Sequence, residues 1–88
     1  MRVKKGFVLR EIADTIVVVP TGDLLDEFKG LINLNSTGKF IWGLLQKDIT
    51  LEEIADKFAG EYKVDKDTAM QNTEKFVQSL KNANIIEE

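Results

Sequence analysis

The stretch from Gly30 to Leu45, GLINLNSTGKFIWGLL, restricts the possible folds more than any other part of this chain, because a short alternating strand passes into an amphipathic helix with no turn residues between them. Ile32, Asn33, Leu34 and Asn35 alternate apolar and polar at period two, and Phe40, Ile41, Leu44 and Leu45 then switch to helical spacing. Asn35 or Ser36 is placed to cap that helix. A short side-chain oxygen there accepts a hydrogen bond from an otherwise unpaired first-turn amide, worth about 1 kcal/mol. Gly38 falls early in the helix, where a missing side chain permits close packing.

Upstream, FVLREIADTIVVVP reads as a hairpin: Phe7–Ile12, a tight turn at Ala13 and Asp14, and Thr15–Val19, with β-branched residues dense in both arms. Pro20 has no amide to give a ladder and ends the second strand, and Thr21, Gly22 and Asp23 supply turn chemistry. Asp23 to Lys29, with Leu24, Leu25 and Phe28, reads as a short turn or a longer loop, and Gly30 opens the third strand, Leu31–Leu34. The simplest arrangement is a three-stranded antiparallel meander.

Downstream, Thr50 and Glu53 form a capping box flanked by Ile49 and Ile54 at the staple positions, which fixes the start of a second helix. Leu51, Ile54, Ala55 and Phe58 make its apolar face; Glu52, Glu53, Asp56 and Lys57 make its solvated face, and Gly60 is the expected stop. Asp65 caps a third helix, with Val64 and Ala69 as a second staple, running to about Ala83. Along it Ala69, Thr73, Phe76, Val77 and Leu80 form a continuous stripe that must be mostly core, and Ile85 and Ile86 read as an extension packing back on the domain. Strands followed by helices indicate one α+β domain over residues 1–88.

With 88 residues the chain has room for one modest core but not for a scaffold plus a large enclosed active site. It has no cysteine and no histidine, which removes thiolate nucleophiles, thiolate zinc sites and the usual general base. Ser36, Ser79, the threonines and Tyr62 have no recognisable base and orienting partner, so neither an enzyme nor a cofactor is expected. Arg2, Lys4, Lys5 and Arg10 cluster near the start and read as a solvated, fraying terminus. Phe7 to Leu9 is too short for a signal peptide, and no apolar run reaches the length of a membrane span, so a cytoplasmic protein without membrane attachment is expected.

LINLNSTGKFIWGLL, then Thr50-Leu51-Glu52-Glu53-Ile54-Ala55, then Ala69 with Phe76 and Leu80, together resemble the coenzyme PQQ synthesis protein D (PqqD) family over nearly the whole chain. The most specific part is the LN-x-T-G-x-x-I-W pattern from Leu34 to Trp42, while Asn72 and Asn84 stand where many relatives carry Asp and Gly. The resemblance implies a winged helix-turn-helix-like domain that recognises the leader of a ribosomally made, modified peptide. It further implies a chaperone that takes up the leader as a strand beside the third strand, in the groove against the third helix, and presents it to a modifying enzyme, often a radical-SAM protein.

The residues support that mode on their own terms. If the strands pair in chain order, the third is an edge strand without the charge, proline or cover that usually blunts such an edge, and an extended peptide can add to its backbone. Leu31, Ile32, Asn33 and Leu34 are therefore the expected peptide-binding strand, and Met70, Thr73 and Val77 the candidates on the helical wall, Met70 for its adaptability. The side chains of Ile32, Leu34, Phe76 and Leu80 are expected in the core, Trp42 as a packing residue, and Glu52, Glu53 and Asp56 on a solvated face.

Two other functions compete. A DNA-binding winged helix is opposed by the net charge of −3 and by a third helix whose Lys66, Lys75 and Lys81 are balanced by Asp65, Asp67 and Glu74, with no Arg for guanine readout. An open edge also permits self-pairing, so a monomer or a strand-swapped dimer is compatible with the sequence.

Overall fold

The computed structural model describes residues 1–22 and 32–87; the expected turn or loop at Asp23–Lys29, Gly30 and Leu31 lies outside the described residues. In chain order the elements are β1 (Arg2–Val3), β2 (Phe7–Ile12), β3 (Thr15–Pro20), β4 (Ile32–Leu34), α1 (Ser36–Leu44), α2 (Leu51–Tyr62), α3 (Lys66–Asn82) and β5 (Ile86–Glu87). β2, β3 and β4 form the expected antiparallel sheet in that spatial order, which leaves β4 at an edge. The β2–β3 turn is two residues long, and Ala13 takes a left-handed φ of 55°, as short hairpin turns demand of a central residue.

Alternation along the sheet decides which face is covered. Phe7, Leu9, Val18, Ile32 and Leu34 lie on the core side, where Val18 meets Ile41, Leu45, Ile54, Leu80 and Ile85 in one apolar cluster. The ammonium of Lys39 on α1 pairs with the carboxylate of Glu11 on β2, at the same face. Trp42 is buried as a packing residue, and the second helix begins with both halves of its capping box, Thr50 Oγ1 accepting from Glu53 N and Glu53 Oε1 from Thr50 N, each at 3.1 Å. Asp65 caps α3 by accepting from Thr68 N at 2.7 Å. Among the described residues no helix is long and apolar enough to cross a membrane.

Two expectations are corrected. The basic terminus does not fray: β1 pairs with β5, placing Val3 opposite Ile86 and Arg2 opposite Glu87, and Lys4 Nζ donates to Asn84 Oδ1 at 2.8 Å. Val3 and Ile85 are both buried, so this two-stranded sheet closes the bottom of the core, and Asn84 adopts a φ of 62° to turn the chain into β5. A two-residue strand is too short to show a periodicity, which is why it escapes a pattern-based reading.

Gly60 does not end the second helix. The helix continues to Tyr62, and Lys63 takes the left-handed cap position with a φ of 55°, its amide donating to Ala59 O. The extra turn is favoured because it carries Tyr62 edge-on to Phe40, with centroids 5.5 Å apart, and against Phe58 at 4.7 Å. Gly60 is thus a helix-interior glycine, and a Cβ there would meet nothing within 4 Å. Gly60→Ala is expected to stabilise the protein by about 0.8–1 kcal/mol, seen as a melting temperature raised by roughly 4–8 °C in thermal circular dichroism; an unchanged or lower midpoint would refute the helical assignment.

The cap at Asp65 generates a pH prediction. Hydrogen bonds from Thr68 hold its carboxyl below the ordinary carboxylate range in the folded state. A depressed folded pKa contributes stability that is present above the unfolded value of about 3.9 and is lost as pH falls through the folded value. Asp65→Asn keeps an acceptor at the cap but does not titrate, so the stability advantage of Asp65 over this variant should shrink as pH is lowered below about 4 in urea unfolding.

Candidate functional site

Among the described residues no strand pairs with the outer edge of β4, and that edge has a defined hydrogen-bonding phase. Thr21 N donates to Gly6 O at 2.7 Å, and with Phe7 opposite Pro20 this sets Val8–Val19 and Arg10–Val17 as the hydrogen-bonded pairs of β2 and β3. The backbone groups of Ile16 and Val18 therefore point the other way, to Leu34 and Ile32, their partners on β4. Asn33, between them, turns its own N–H and C=O outward, with its side chain exposed on the outer face of the sheet. Ile32 and Leu34 are half-buried against the core, as their alternation predicts.

β4 ends directly on the cap of α1. Asn35 Oδ1 accepts from Gly38 N at 2.8 Å and from the Thr37 hydroxyl at 2.9 Å, which stops the strand and starts the helix within one residue. Gly38 lies against α3: a Cβ built there would come within 2.9 Å of Phe76 Cε1. Between this junction and α3 runs a cleft of about 300 Å³. Asn35, Thr37, Gly38 and Ile41 form one wall, and Asn72, Lys75, Phe76 and Ser79 form the other.

These wall residues are not the ones anticipated. The buried stripe of α3 runs through Ala69, Thr73, Val77 and Leu80, and its two flanks face different neighbours. Val77, with Glu74, Gln78 and Lys81, borders a separate depression beside Met1 and Leu51, and Met70 occupies the same flank by helical spacing. Thr73 is wholly buried. The expected strand residues Ile32, Asn33 and Leu34 are thus brought to one edge, and Asn35, which follows them, lines the cleft; Leu31 lies outside the described residues, and Met70, Thr73 and Val77 do not line this cleft. The signal that points to the flank bordering this cleft is Gly38, whose lack of a side chain permits a close neighbour, and Phe76 is the large residue on the stripe that remains half-exposed. Among the described residues no group of three or more metal-ligating side chains converges.

Comparison with known proteins agrees with this architecture. The family model for coenzyme PQQ synthesis protein D (PqqD) matches residues 14–86. The solved structure of TbiB1 in complex with the TbiA(beta) leader peptide is similar at 28% sequence identity and a TM-score of 0.76, over 99% of this chain and 95% of that one. No curated protein matches.

The Thr73 hydroxyl makes no hydrogen bond to any described residue although it is fully buried. A buried unsatisfied hydroxyl is costly, so Thr73→Val, which keeps the shape and removes the polar group, should stabilise the fold by about 1 kcal/mol in urea unfolding. A loss of stability would show that the hydroxyl has a partner.

Proposed function

This chain belongs to the coenzyme PQQ synthesis protein D (PqqD) family, and from that membership we propose that it is a non-catalytic adaptor that binds the leader segment of a ribosomally synthesised precursor peptide. The leader adds as a strand to the free edge of β4, lays its side chains along the cleft against α3, and is presented to a peptide-modifying enzyme; a radical-SAM protein is the class that the family resemblance favours. The observation that carries the reading is the outward N–H and C=O of Asn33 beside a cleft, on a fold whose solved neighbour is in complex with a leader peptide. Main-chain pairing supplies affinity and the cleft supplies selection among side chains.

The reading is tested by an amide-resolved NMR titration with the leader of a candidate precursor peptide and a scrambled leader as control. Saturable shifts are expected at Ile32–Leu34 and along Asn72–Ser79. Asn33→Pro removes the outward donor while leaving the β3 ladder intact, and should weaken binding at least about tenfold, the equivalent of about 1.4 kcal/mol, with little change in melting temperature. Ile32→Pro removes a ladder donor instead and should lower the melting temperature. Full binding by the Asn33→Pro protein would eliminate strand addition at this edge.

A further inference from the structure

We propose that the cleft between α1 and α3 selects a leader carrying an acidic side chain two residues from an apolar one, the carboxylate being read by Lys75 and the apolar group by Phe76. This deepens the leader-binding reading above and rests on it. Among the described residues, Lys75 is the only charged one lining the cleft. Its helical neighbours three and four residues away are Gln71, Asn72, Gln78 and Ser79, none able to neutralise it, and no described residue forms an ion pair with its ammonium.

The remaining hydrogen-bonding groups around it are partly committed. Asn35 Oδ1 is taken by Gly38 and Thr37, so the Asn35 amide NH₂ is left as a donor facing the same cleft. The Ser79 hydroxyl donates to Phe76 O, and one N–H of Asn72 donates to Thr68 O at 2.9 Å. A cation with a neutral donor opposite favours a carboxylate over a neutral or basic side chain. The protein carries a net charge of −3, so an acidic peptide has no general attraction to it and any preference for acid must come from a local cation such as this one.

Strand geometry supplies the spacing. A peptide residue paired with Asn33 points its side chain to the outer face of the sheet, so the residues on either side of it point toward the core side and α3. Those two side chains are about 6.6–6.8 Å apart, at 3.3–3.4 Å per residue. Along α3, Asn72 to Ser79 spans about 10 Å at 1.5 Å per residue, enough to receive both.

The test is selection of a random twelve-residue peptide phage library on the full chain, on Lys75→Glu and on Lys75→Met. The wild-type protein should enrich peptides with Asp or Glu at two-residue spacing from an apolar residue, Lys75→Glu should enrich Lys or Arg at that position, and Lys75→Met should show no charge preference. For the best wild-type peptide, amidating the acid (Asp→Asn or Glu→Gln) should weaken binding about tenfold to wild type and leave Lys75→Met unaffected. Peptides enriched without an acid, or an acid preference that survives Lys75→Met, would overturn this inference while leaving strand addition in place. Failure of the wild-type chain to enrich any peptide would overturn both.

Discussion

The side-chain oxygen of Asn35 is the interaction on which the rest of the arrangement depends. By accepting from Gly38 N and the Thr37 hydroxyl it ends β4 and begins α1 within one residue, and so fixes the angle between an edge strand and a helix that would otherwise be joined by a variable loop. The first turn of α1 is then pressed against α3 at Gly38, where a Cβ would press on the Phe76 ring and displace it. Edge, cap and cleft are one construction: the same residue that terminates the ladder lines the groove beside it.

Around that junction the core explains why so small a chain holds the site in place. Val18 from the sheet, Ile41 and Leu45 from α1, Ile54 from α2 and Leu80 from α3 meet in one cluster, so each helix is seated against the same set of side chains and not only against its neighbour. The terminal sheet adds Val3 and Ile85 to it, and backbone bonds from Val3 N to Leu45 O and from Lys4 N to Ile85 O fasten the first residues to the end of α1 and to the chain beyond α3. The aromatic trio of Phe40, Phe58 and Tyr62 does the same between α1 and α2.

What could be read in the sequence were features encoded within a few residues: the hairpin, the capping box at Thr50 and Glu53, the caps at Asn35 and Asp65, and the buried stripe on α3. What could not be read were choices made by tertiary contact. The pairing of β1 with β5 joins residues too few to carry a pattern, and the run of α2 past Gly60 is decided by Tyr62 finding aromatic partners on another helix. Which flank of α3 borders the cleft is a choice of the same kind. A helical stripe has two flanks, and spacing alone does not say that Asn72, Phe76 and Ser79 face α1 while Met70 and Val77 face the opposite side. The edge strand, by contrast, was legible from its alternation and its chain order.

The phase of β4 has a kinetic meaning. Across its described residues, Ile32–Leu34, β4 turns one N–H and one C=O outward, both from Asn33, which at about 0.5–1.5 kcal/mol each amount to roughly a hundredfold in dissociation constant. Backbone pairing of that size would act mainly on the off-rate, where differences among related complexes fall. On the adaptor reading proposed above, the cleft against α3, more than the strand backbone, then sets how long a leader stays bound.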